Sequence, residues 1–185
     1  MIKEEVAQIR KRMEKALEDI RKELTTIRTG RASISLLDHI TVDYYGTPTP
    51  INQVATLGTP DPTLITVQPW DVSLIGAIEK SIRSSDLGLN PSNDGRIIRV
   101  PIPPLNEERR KQLAKHVQRV LEEHRTAVRN IRRVGNDAVK KLLKDKKVSE
   151  DDERRALDEI QKLTDDFVAR LEDAAKKKEQ EIMTV

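Results

Sequence analysis

Three stretches of this sequence repeat apolar residues at intervals of three and four, and each therefore presents a helix face that has to be buried against something. In residues 2–28 the stripe is Ile2, Val6, Ile9, Met13, Leu17, Ile20, Leu24 and Ile27. Beyond Asn106 it is Leu113, Val117, Val120, His124, Val128, Ile131, Gly135, Val139 and Leu142. Beyond Ser149 it includes Leu157, Ile160, Leu163, Phe167, Leu171, Ala174 and Ile182. At 1.5 Å per residue the first two helices would be about 40 and about 60 Å long. One stripe on each of three long helices predicts a three-helix bundle.

Boundary signals refine this. Gly30 is the expected terminator of the first helix. Asn106 is a candidate N-cap for the second, with Glu107 and Glu108 in its first turn and Lys144 to Lys147 in its last. Ser149 with Asp152 resembles a capping box opening the third.

Between the first and second helices the period changes. HITVDYY, INQVATL, LITVQPW and RIIRVPI are short, β-branched and partly alternating, and predict four strands. SLIGAIEKSIR interrupts them with Leu74, Ile75, Ile78 and Ile82 at helical spacing, and the breaker run DLGLNPSNDG follows. The predicted class is α+β: a long three-helix bundle, discontinuous in sequence (1–30 and 105–185), with a small β/α/β domain inserted at 31–104. Two chain crossings join the parts. One is Arg28, Thr29, Gly30, Arg31, Ala32 and Ser33; the other contains Pro101, Pro103, Pro104 and Leu105. A glycine on one crossing and prolines on the other predict a hinge with directed bending.

Charge is distributed unevenly along the chain. Residues 107–147 hold 14 Lys and Arg against 6 Asp and Glu, whereas residues 149–185 hold 7 against 12, so a formal net charge of +3 conceals a basic segment followed by an acidic one. Within the basic segment Arg125, Arg129, Arg132, Asn136 and Lys140 recur at helical spacing on one stripe that contains no Asp or Glu. Arginine outnumbers lysine there, and its planar fork suits phosphate oxygens. A solvated face, neutralised by acidic residues of the third helix, is the competing reading. Aromatics are only 2% of the chain and none lies on this helix, so base stacking on a single strand is disfavoured. Recognition of folded RNA through phosphates and shape fits better.

Catalytic constellations are missing from the sequence. It contains no phosphate-binding glycine loop, nucleophile elbow or zinc-protease motif, and no cysteine. His116 and His124 lack a third metal ligand nearby, and the carboxylates at 150–153 suit a helix N-terminus without a metal. No apolar run reaches the length of a membrane span or a signal peptide. The expectation is a soluble, cytoplasmic monomer that acts by binding, without cofactor or metal and without enzymatic activity.

Several longer words carry a resemblance. RTGRAS, LLDHITVDYYGTPTPINQVA, SDLGLNPSNDGRIIRVPIPPLNEERRKQL, VRNIRR, SEDDERR and EIQKLTDDF closely resemble the ribosome recycling factor family, and together they span essentially the whole chain. The resemblance implies the same discontinuous bundle and inserted domain, arranged like a transfer RNA. It implies binding to the large ribosomal RNA of the post-termination ribosome, across the A and P sites, and separation of the subunits with elongation factor G and GTP. Arg129, Arg132 and Arg133 match the family's helix that contacts ribosomal RNA; Arg28, Arg31 and Arg110 match other basic positions. The inserted domain, with its loop LNPSND, is the candidate contact for elongation factor G. One departure is Val134-Gly135, where the family usually has a charged residue and alanine. Glycine there predicts a seam short of a methyl group and a locally softer helix.

Overall fold

The computed structural model describes residues 1–184. Val185, the last residue of the expected bundle range, lies outside the described residues. The chain divides into two compact units, one formed by Met1–Arg28 with Glu107–Thr184 and the other by Thr29–Asn106.

The first unit contains α1 (Ile2–Thr25), α3 (Glu107–Lys144) and α4 (Glu150–Met183), and each helix contacts the other two. Its core follows the apolar stripes. Ile9, Met13 and Ile20 of α1, Val117, Val128 and Val139 of α3, and Ile160, Phe167 and Leu171 of α4 are all buried. Burying side chains of this size stabilises by roughly 1.5–3 kcal/mol each before chain entropy is counted.

The first helix stops earlier than its glycine suggests. Thr25 and Thr26 turn their hydroxyls onto the carbonyls of Lys22 and Glu23, both at 2.6 Å, and these bonds satisfy groups that continued helix would otherwise have used. Gly30 serves a separate purpose. It adopts a left-handed backbone (φ 77°), and a Cβ there would lie 2.9 Å from Leu105 Cγ, so the two chain crossings pass each other closely.

Gly135 lies inside α3 on its buried face. α3 runs through it without a break, and the space left by its missing methyl is filled. A Cβ at 135 would lie 2.9 Å from Ile9 Cγ1 and nearer still to Ile9 Cδ1. Just beyond α3, Lys146 adopts a φ of 57°, with Lys147 N donating to Leu142 O and Lys146 N to Leu143 O. This is the Schellman closure, with lysine where glycine is usual. α4 then opens on Ser149, whose Oγ accepts from Asp152 N at 3.1 Å and donates to Asp152 Oδ2 at 2.6 Å.

The second unit has six strands rather than four. β1 (Thr41–Tyr44) and β2 (Thr47–Pro50) form a hairpin, and β3 (Ala55–Asp61), β4 (Leu64–Pro69), β5 (Ser92–Asn93) and β6 (Ile98–Pro101) form an antiparallel sheet in the order β3-β4-β6-β5. β2 reads TPTP, a poor central strand. It is tolerated because it pairs with β1 alone and can leave its prolines unbonded. The hairpin turn, Tyr45-Gly46, has positive φ at both positions, as two-residue turns of this twist require. Register places Ile65 opposite Val100 and Val67 opposite Ile98. These four share a core with Ile75, Ile78 and Ile82 of α2 (Ile75–Arg83).

Candidate nucleic-acid interface

The i, i+4, i+7 spacing that carries α3 past the core leaves a second face of the same helix toward solvent. There Arg129, Arg132, Arg133, Asn136 and Lys140 line one groove of about 470 Å³, joined by Thr126, Asn130 and Asp137 of α3 and Gln161 of α4. The groove therefore holds four cationic side chains and one carboxylate. None of the four cations takes part in an ion pair among the described residues. Arg129, Arg133 and Lys140 are exposed and Arg132 is half-buried. Arg133 Nη2 donates to Asn130 Oδ1 at 2.9 Å, which fixes that side chain along the helix. Arg132 Nη1 reaches across to Gln161 Oε1 at 3.4 Å. Asn136 buries its Oδ1 without a hydrogen-bond partner among the described residues, an arrangement that costs stability and recurs at binding sites.

Arg125 departs from the rest of the stripe. Its guanidinium pairs with Glu122 on its own helix and with Glu172 on α4. Its hydrogen bonds to Glu122 first and Glu172 second raise its pKa above the ordinary arginine value. The stripe is thus not free of carboxylates along its length: Arg125 is neutralised across the α3–α4 seam, and Asp137 enters the groove from a neighbouring position. Sequence spacing missed Glu172 and Gln161 because both come from α4. The signal that would have located them is the antiparallel register of α3 and α4, in which Gln118 meets Glu179, Arg125 meets Glu172 and Arg132 meets Gln161.

The remaining basic positions lie elsewhere. Arg28 is exposed at the end of the first unit's N-terminal segment, Arg110 is half-buried in the first turn of α3, and Arg31 is exposed in the second unit. None of them lines the groove. Of the joint residues, Arg28 belongs to the first unit, whereas residues 29–33 and 101–105 belong to the second.

Chemically, the groove can bind phosphates and offers little else. His124 is engaged with structure, its Nδ1 2.8 Å from Val120 O and its Nε2 3.6 Å from Glu23 Oε2. No group of three or more His, Cys, Asp or Glu side chains able to hold a metal occurs among the described residues. No described helix is long and apolar enough to cross a membrane.

Comparison with known proteins agrees with this architecture. Residues 20–183 match the family model described as ribosome recycling factor. The chain is 57% identical over 174 residues to the ribosome-recycling factor of Nitratidesulfovibrio vulgaris (strain DP4), covering 94% of each protein. It superimposes on a solution structure of the ribosome recycling factor with a TM-score of 0.73 and 40% identity, covering 100% of this chain and 98% of the other. A further match, with a TM-score of 0.62, 52% identity and 98% of each chain covered, comes from models for the T. thermophilus ribosome recycling factor and the E. coli elongation factor G bound to the E. coli post-termination complex.

Proposed function

The chain belongs to the ribosome recycling factor family, and from that premise we propose that it binds the post-termination ribosome through the basic groove of α3 and, with elongation factor G and GTP, promotes dissociation into subunits. The observation that carries the RNA contact is the groove itself: Arg129, Arg132, Arg133 and Lys140 converge on one opening with no ion-pair partner among the described residues. Exposed cations held close together repel one another, and a polyphosphate surface relieves that repulsion while releasing condensed counterions. The large ribosomal RNA at the A and P sites is the anion in this reading. Arg28, Arg31 and Arg110 add contacts outside the groove. Arg125 is a weaker contributor than its spacing suggests, because Glu122 and Glu172 already occupy it.

The protein breaks no bond in this scheme. GTP hydrolysis belongs to elongation factor G, and the chain works as a cytoplasmic monomer by occupying a site and being displaced from it. The crossings at 28–33 and 101–105 serve as the hinge, with the contact of Gly30 and Leu105 limiting the directions of bending. The exposed segment around Asn93 and Asp94 in the second unit is the candidate contact for the elongation factor.

Light scattering from model post-termination ribosomes tests the proposal. The signal should fall when this chain, elongation factor G and GTP are all present, and should stay level when any one is omitted. Changing Arg129 and Arg132 to Gln together should weaken ribosome binding by about thirtyfold, from two phosphate contacts of roughly 1 kcal/mol each. Unchanged binding by that variant would mean that the face is merely solvated.

A further inference from the structure

Arg125 and Arg132 stand two turns apart on α3, and each reaches a side chain of α4, but the partners differ in kind. Arg125 meets the carboxylate of Glu172, whereas Arg132 meets the amide of Gln161. Behind that amide is a carboxylate: Gln161 Nε2 donates to Asp165 Oδ1 at 2.9 Å. The orientation of the Gln161 amide follows from its neighbours. A guanidinium has only donors and a carboxylate only acceptors, so the amide satisfies both only with its oxygen toward Arg132 and its nitrogen toward Asp165.

The relay has two consequences. A charged acceptor on the amide nitrogen polarises the group and makes its oxygen a better acceptor for the guanidinium. The interposed neutral amide also keeps the carboxylate out of direct contact with Arg132, so the tether restrains the arginine without cancelling its charge. A bond of 3.4 Å from Nη1 leaves the other guanidinium N–H groups without a protein partner among the described residues. Arg132 and Gln161 line the same groove. A long side chain restrained before its ligand arrives loses less conformational freedom on binding.

We propose that Gln161 and Asp165 of α4 are positioning residues, which hold the Arg132 guanidinium ready for a phosphate group of the RNA while leaving it charged. The proposal rests on the reading that this groove receives ribosomal RNA. It makes the interface a product of two helices rather than of one basic rod.

A double-mutant cycle on equilibrium binding of the full chain to bacterial 70S ribosomes tests it at one fixed salt concentration. Gln161→Leu should weaken binding about three- to tenfold when Arg132 is present, and should weaken it no further when added to Arg132→Gln. Gln161→Glu tests the same idea with the opposite chemistry. It offers Arg132 a stronger partner but a neutralising one, and should weaken binding as well. Asp165→Asn, which removes the charge that polarises the Gln161 amide but retains an oxygen acceptor for it, should weaken binding measurably but less than Gln161→Leu, and only when Arg132 is present. Because Gln161 and Asp165 are exposed, unfolding midpoints should move little in the Gln161 and Asp165 variants. Equal losses from Gln161→Leu in both arginine backgrounds would show that Gln161 acts independently, and would overturn the relay. A loss with Arg132→Gln but none with Gln161→Leu would overturn it too, leaving the RNA interface standing. If Arg132→Gln itself leaves binding unchanged, the interface reading fails and the relay with it.

Discussion

At the scale of single residues, two opposing effects meet at Gly135. Alanine is the better helix former by about 1 kcal/mol, yet its methyl would overlap Ile9, which is itself only 3% exposed and has neighbours on every side. Overpacking a full core costs about 1–3 kcal/mol, so packing outweighs propensity and Gly135→Ala should lower stability by about 1 kcal/mol. In an Ile9→Ala background, which lacks both Cγ1 and Cδ1, the same change should become neutral or stabilising. Urea unfolding of the four proteins decides the matter: a wild-type background stabilised by Gly135→Ala would mean that Ile9 has room to move. The apolar stripe alone located Gly135 on the buried seam, and it is buried. It could not reveal the compensating side chain, because Ile9 lies on another helix 126 positions earlier in the sequence. Val134 beside it is exposed, and nothing in the structure explains it.

At the scale of elements, the long helices were legible because their signals are local and repeated many times. The seam of α3 and the Ser149 cap of α4 needed only residues within a few turns. β2 and β5 were not legible: one is half proline and the other is two residues long, and each exists because a neighbouring strand completes it. The loop from β5 into β6 is held by two side chains, Asn93, whose Oδ1 accepts from Gly95 N at 3.1 Å, and Asp94, which makes more bonds. Asp94 Oδ1 accepts from the backbone N–H groups of Ile97 at 2.9 Å and Arg96 at 3.0 Å, while Oδ2 accepts from Arg99 Nη1 at 2.9 Å. These bonds, the backbone ones foremost, lower its pKa from 3.8 to about 2. A carboxylate whose folded value is depressed contributes stability above its unfolded pKa, and that contribution fades as pH falls through the folded value. The window here is therefore from about pH 4 down to about pH 2. Asp94→Asn, which keeps an acceptor but cannot ionise, should be less stable than the parent at pH 6, and the difference in melting temperature should close across that window. A difference that persists unchanged at pH 2 would place the effect in hydrogen-bond geometry rather than charge.

At the scale of the whole molecule, the proposed RNA interface has to be reconciled with a formal net charge of only +3. The answer lies in how charge is sorted between neighbouring helices. α3 and α4 pack together, yet one is strongly basic and the other acidic, so some of their charges cancel across the seam, as Arg125 does with Glu172. Other charges on α3 have no ion-pair partner among the described residues, as with Arg129, Arg132, Arg133 and Lys140. Segment counting disclosed the sorting in advance, but deciding which cations stay available required the register between two helices. Binding governed by that remnant should depend on salt as its local contacts dictate, and not as the small net charge would suggest. Each phosphate contact contributes about 0.7–0.9 to the slope of log affinity against log salt concentration. Changing Arg129, Arg132 and Arg133 to Gln together should therefore flatten the slope for ribosome binding by about two. The same three changes on Arg12, Lys15 and Arg119, exposed cations outside the groove, remove as much net charge and should leave the slope almost unaltered. Equal flattening by both triplets would mean that the ribosome senses only the total charge of the chain, and the groove would lose its claim to be the interface.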